Sequence, residues 1–221
     1  MSGKNPNGTV STLTERLNRK DMKYHYLKSH KQLRSIKRFR RRYKQQTDKA
    51  TTFKPTCTPA HHSVLIYEGE YARLCQDTLR YGDWRLETGG QLFGIETWNG
   101  TIIVTYVLGP GPDADHRTTF FRQDIPFLEQ QGTRLIRTMK QRQVGQWHSH
   151  HHLGLTTPSS HDANNMLSNL NGMNRYLLCI ATCNGNSAES TPYMFNPGGY
   201  DTWQWEIIPG ESPVRTLFEA L

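Results

Sequence analysis

Long apolar runs are missing from this chain, and their absence removes whole classes of protein. No stretch approaches the roughly 20 apolar residues that a membrane-spanning helix needs. No apolar segment follows the start that would serve as a secretory signal. Cysteine is scarce as well: Cys57, Cys75, Cys179 and Cys183 are too few to staple 221 residues together. A reducing compartment is therefore expected, the cytoplasm first and the nucleus as the alternative. Without secretion, the glycosylation acceptors Asn7-Gly-Thr and Asn99-Gly-Thr carry no weight. The His-x-Glu and Pro-Cys-x-x-Cys pairing of zinc deaminases is also lacking. Cys179 and Cys183 stand in an apolar, strand-like run and are expected to be core thiols rather than ligands. No internal repeat is found.

Apolar residues make up only 35% of the chain, and the charge is unevenly spread. Residues 1–55 carry 16 Lys/Arg against 3 Asp/Glu, whereas the rest carries 11 against 16. The pI near 9.4 thus describes the N-terminal extension and not the body. That asymmetry marks a boundary, with a basic, partly helical or disordered extension and linker over 1–61 and a globular domain over 62–221. Thr12-x-x-Glu15 fits a capping box. Between Tyr24 and Tyr43, Leu27, Leu33, Ile36 and Phe39 form a thin apolar stripe on a cationic helix. Such an extension suits a solvated tail, nucleic acid or another acidic partner, or an anionic membrane surface.

In the body, strands are expected over 63–67, 88–96, 101–108, 143–150, 176–182 and 202–208. Helices are expected over 68–81, 124–141 and 160–170. Ala72, Cys75 and Leu79 are expected on the buried side of the first helix. Asn99-Gly100 favours the positive φ of a tight turn, so the strands flanking it should pair antiparallel. Segments 151–158 and 184–199 are read as short loops. The mixture of hairpins and helices argues an α+β fold, a mixed sheet flanked by helices.

Chemistry concentrates in Glu87, His148-Ser149-His150, Ser159 and Asp162. Catalytic Zn²⁺ takes three nitrogen or oxygen ligands from the protein and keeps one position for water. His148 and His150 lie two apart in an expected strand, so both imidazoles project to one side. Asp162 follows a Pro158-Ser159-Ser160 turn at an expected helix start and can supply the third ligand. Glu87 is left over from coordination and suits a proton acceptor. Other registers exist in this histidine run. Pairing His150 with His152 orphans His148, and His151 or His161 could ligate only by distorting the set.

These residues resemble the JAMM (JAB1/MPN/Mov34) metalloprotease signature: a distant Glu, then His-x-His, seven residues, Ser, two residues, Asp. Glu87-Thr-Gly-Gly-Gln-Leu-Phe-Gly94 is similar to the Glu-Thr-Gly-Gly-x-Leu-x-Gly stretch of prokaryote-type members. Gly109-Pro-Gly-Pro112 followed by Phe120, Phe121 and Asp124 resembles that branch too. Eight residues rather than seven separate His150 from Ser159, and the extra one is placed in the loop. The resemblance spans roughly residues 62–208. It implies an MPN/JAB-like fold, one catalytic Zn²⁺ on His148, His150 and Asp162, Glu87 as general base, and Ser159 donating to the oxyanion. It also implies an isopeptidase cleaving after the C-terminus of ubiquitin or a ubiquitin-like protein. The substrate tail is expected to add a strand beside the active-site sheet edge. Short loops favour a simple processing or deconjugating protease. A silent MPN-type scaffold, or a binding protein working through the basic extension, are the alternatives.

Overall fold

Strands and helices interleave from Ser63 onward in the computed structural model, which describes residues 63–150, 154–170 and 173–221. The elements are β1 (Ser63–Tyr67), α1 (Glu68–Gly82), β2 (Gly89–Glu96), β3 (Ile102–Leu108), β4 (Asp115–Arg117) and β5 (Phe120–Arg122). They continue with α2 (Ile125–Met139), β6 (Arg142–Ser149), α3 (Ser160–Asn169), β7 (Tyr176–Asn184), β8 (Ser187–Asn196), β9 (Gly199–Thr202), β10 (Gln204–Ile208) and α4 (Pro213–Glu219). The expected basic helix and its apolar stripe lie outside the described residues, as does His152. Eight strands form one sheet in the order β10-β1-β3-β2-β6-β7-β8-β9, while β4 and β5 pair separately. Parallel pairs (β10/β1, β1/β3, β6/β7) mix with antiparallel ones, so the α+β class holds. No helix among the described residues is long and apolar enough to cross a membrane.

The β2–β3 hairpin closes as its Asn-Gly pair suggests, with Gly100 at φ 85° and its N–H donating to Thr97 O at 2.9 Å. Two β-bulges then decide which side chains face which side. In β3, Gly94 faces Val104 and Phe93 faces Tyr106, so Thr105 is the extra residue. In β6, Leu92 faces Gly145 and Phe93 faces Gln143, leaving Val144 extra. Each inserted residue shifts the alternation by one. Val64, Ile66, Leu92, Ile102, Val104, Val107, Val144, Trp147, Leu177 and Met194 therefore share one core, joined by Leu74 of α1. The opposite face carries two patches. Phe93, Tyr106 and Leu108 pack with α2 and with Phe218 of α4, while Leu178, Ile180 and Phe195 pack under Met166 of α3 and Leu170 at its C-cap. Polar groups run between the patches: Gln91 donates to Gln123 at 2.7 Å, and Gln143 donates to the Tyr176 hydroxyl at 2.8 Å. Gln146 and His148 stand on the same face, so this polar strip ends at the metal-ligand candidates.

Three expectations are corrected. The buried stripe of α1 is Glu70, Leu74, Thr78 and Gly82, whereas Ala72 is exposed and Cys75 and Leu79 are only half-buried. The cause is a buried ion pair. Arg215 of α4 donates to both Glu70 oxygens at 2.6 and 2.7 Å, and Val107 N donates to the same carboxylate at 2.7 Å. A paired, hydrogen-bonded charge can occupy a core position that apolar periodicity would never give it. Segment 184–199 is not a loop but the turn and second strand of the β7–β8 hairpin. Pro192 disguises it. The Pro192 carbonyl accepts from Trp203 N at 2.9 Å, on the side away from β7, so no β7 ladder bond needs the missing N–H. The strand expected over 202–208 breaks at Trp203 into β9 and β10.

Candidate metal centre

His148 is the penultimate residue of β6 and His150 follows the strand's end. Ser149 between them turns to the opposite face, where it is fully buried. Its hydroxyl accepts from Thr88 N at 3.0 Å and its N–H donates to Thr88 O at 2.8 Å. These two bonds tie the histidine strand to the residue after Glu87. His150 N donates to Ala181 O at 2.8 Å, carrying the β6–β7 pairing one residue beyond the strand. A small polar residue between two histidines, on the strand face opposite to theirs, was the available signal.

Asp162 arrives from α3. Ser159 is the N-cap: its Oγ accepts from Asp162 N at 3.2 Å, while the Asp162 carboxylate accepts from Ser159 N at 2.9 Å. This reciprocal box satisfies two orphan donors and fixes the carboxylate at the positive end of the helix. The Ser159 hydroxyl proton goes to Asp162 Oδ2 at 2.6 Å. Met166 and Leu170 anchor the helix on β7 and β8. The loop leading to it is tied by the Tyr193 hydroxyl, which donates to Thr156 O at 2.9 Å.

The three expected ligands converge. His148 Nε2 lies 3.4 Å from Asp162 Oδ1, His150 Nε2 lies 3.5 Å from Asp162 Oδ2, and the two Nε2 atoms are 3.1 Å apart. One ligand atom from each residue fits within a 4.8 Å span. Ligand bonds of about 2.0–2.2 Å in a tetrahedron imply ligand separations of roughly 3.3–3.6 Å, close to those found. His150 Nδ1–H donates to Leu155 O at 2.9 Å, which turns Nε2 toward the cluster. Burial alone would raise Asp162, but hydrogen bonds from His148 and His150 outweigh it and hold the carboxyl far below its usual range. Burial alone would lower His150; its bonds to Asp162 and Leu155 O, with the charges of Asp162 and Glu87, raise it instead. His161 is exposed and bonds with Asn165 one turn along α3.

Glu87 sits two residues before β2, whose Gly89 faces His148 in the ladder. Its negative charge reaches His150, and its side chain is half-buried. Gly89 and Gly90 allow the close approach expected of them. A Cβ on Gly90 would stand 1.9 Å from Leu108 O, and one on Gly89 would stand 2.5 Å from Trp147 O. β2 and β6 lie inside the sheet with neighbours on both sides, so the centre has no open edge of the main sheet beside it. The Cys expectation needs no change: Cys179 is fully buried and its thiol is pushed up to about 12 by that burial.

No family model matches the chain, and no curated protein matches it. Solved structures do. The solution structure of protein DSY2949 from Desulfitobacterium hafniense superposes with a TM-score of 0.51 at 14% identity, covering 67% of this chain and 94% of that one. At that identity the likeness is one of fold: this chain is built on an α+β scaffold already seen in a bacterial protein.

Proposed function

We propose that the chain is a zinc-dependent isopeptidase or peptidase of the JAMM type, with an MPN/JAB-like domain that cleaves after the C-terminus of ubiquitin or a ubiquitin-like protein. The observation that carries this reading is the meeting of one carboxylate with two imidazoles at the end of a strand whose ladder partner, β2, begins two residues after Glu87. Zn²⁺ held by His148, His150 and Asp162 would supply a polarised carbonyl and water made acidic near neutral pH. Glu87 accepts a proton from the attacking water as its oxygen bonds to the carbonyl carbon. The same carboxyl then returns that proton to the departing lysine or backbone nitrogen as the C–N bond breaks. The products are a carboxylic acid and an amine, which part as carboxylate and ammonium once the remaining water proton passes to the amine, and the base is regenerated. Ser159 orients Asp162 through its hydroxyl. To donate instead to the developing oxyanion, where one donor is worth about 3 kcal/mol, that proton must exchange partners.

Zinc stoichiometry and cleavage of a panel of ubiquitin-like fusions test the reading. Wild type should hold one zinc and cut at least one fusion. Glu87→Gln should keep its zinc and lose about 10²–10⁴-fold in turnover, whereas His148→Ala should release the metal. Full activity in Glu87→Gln would overturn the assignment of the base. Zinc bound with no fusion cut would leave a silent MPN-type scaffold.

A further inference from the structure

Residue 87 precedes β2, and the turn leading into it contains Arg85 in the left-handed region at φ 55°. The main sheet's ladder therefore begins too late to hold the Glu87 peptide. Something else holds it. Glu87 N donates to Arg117 O at 2.8 Å, and His116 Nδ1–H donates to Glu87 O at 2.9 Å. Adjacent residues of β4 thus grip both polar groups of one residue. The His116 ring is fixed in turn, stacked on Tyr81 of α1 at 3.9 Å and 12°, with Phe121 at 5.4 Å. The hairpin's base is stapled by Asp124, which accepts from Asp113 N at 3.0 Å and Phe127 N at 3.1 Å and donates its own N–H to Pro110 O.

We infer that His116 is a positioning residue for Glu87, holding the proposed base from a hairpin outside the main sheet. This rests on the protease reading above. A base must meet its proton within hydrogen-bond reach, and a misplacement of about 1 Å can cost roughly 10²-fold in rate. Thr88 is anchored to Ser149 on the histidine strand, and Glu87 is anchored to the hairpin. With both fixed, the distance from the Glu87 backbone to the ligand set is fixed too. The required tautomer carries its proton on Nδ1, and the stack on Tyr81 keeps that nitrogen aimed at the carbonyl.

Two substitutions in the full-length protein separate the donor from the ring. His116→Phe keeps the stack on Tyr81 and removes the N–H; His116→Asn keeps a donor near the Nδ1 position and removes the ring. In His116→Phe, zinc content, melting temperature and KM should stay within about twofold or a few degrees of wild type. Its kcat should fall roughly tenfold or more, and the Glu87 amide should exchange with solvent roughly tenfold faster by NMR. His116→Asn should regain part of both. The inference is overturned by a kcat within about twofold of wild type, by unchanged exchange at Glu87, or by zinc lost in step with kcat. A wild type that holds no zinc and cuts nothing overturns the protease reading itself, whereas failure confined to the variants removes only His116 from it.

Discussion

Nitrogen and oxygen atoms aimed at one another make up the centre at the scale of single residues. With its Nδ1 proton given to Leu155 O, His150 turns Nε2 toward a carboxylate oxygen 3.5 Å away that is held ionised. Acceptors packed this tightly are stabilised by a cation or a shared proton, and their separations suit a small divalent ion. Ser159 matters here twice, as helix cap and as the group orienting Asp162. Ser159→Ala should weaken zinc binding by about 10–100-fold, because it removes one of the two outer hydrogen bonds on the proposed ligand Asp162. It should also cost about 1 kcal/mol of stability through the lost cap. Zinc titration and denaturant melts of the same variant read the two effects separately. Unchanged zinc affinity would reduce Ser159 to a cap.

At the scale of elements, the β2–β6 pairing brings Glu87 and His148 to the same end of the sheet. Gly90 is the tightest point in it, with Leu108 O and the Trp147 ring against the space a side chain would need. Trp147 Nε1 donates to that same Leu108 O at 3.3 Å. Backbone cannot give way as a flexible side chain can, so Gly90→Ala should destabilise the domain by about 3 kcal/mol. A denaturant midpoint equal to wild type would show the strands part at no cost. The C-terminal helix is locked differently, through the buried Glu70–Arg215 pair and the stack of Arg215 over Tyr106 at 3.8 Å. Breaking such a pair is costly because it strands one charge.

For the molecule as a whole, the proposed metal would join a strand of the sheet to a helix packed on its face, ligands 148 and 162 lying in different elements. Binding only to the folded state adds stability by mass action, about 2.7 kcal/mol at a hundredfold excess over Kd. Chelation with EDTA should therefore lower the melting temperature by several degrees, and added zinc should restore it. His148→Ala should melt at the same temperature with and without zinc. A wild-type melt indifferent to EDTA and zinc alike would remove the metal from this picture.

The convergence of His148, His150 and Asp162 could be read without coordinates, because metal chemistry restricts residue types and a strand's period of two puts His148 and His150 on one side. The Asn-Gly turn, the Asp162-bearing helix and the thiols in the core were legible for the same reason: each is a local preference. What only the tertiary structure decided is whatever depends on two distant segments meeting. The bulges at Thr105 and Val144 change the facing of the strands. The Arg215 partner turns Glu70 inward and rotates the expected stripe of α1. The ladder hides Pro192 within β8, and the β4–β5 hairpin closes on Glu87. None of these is encoded in a window of neighbouring residues, since each free-energy gain comes from a partner between ten and 145 positions away.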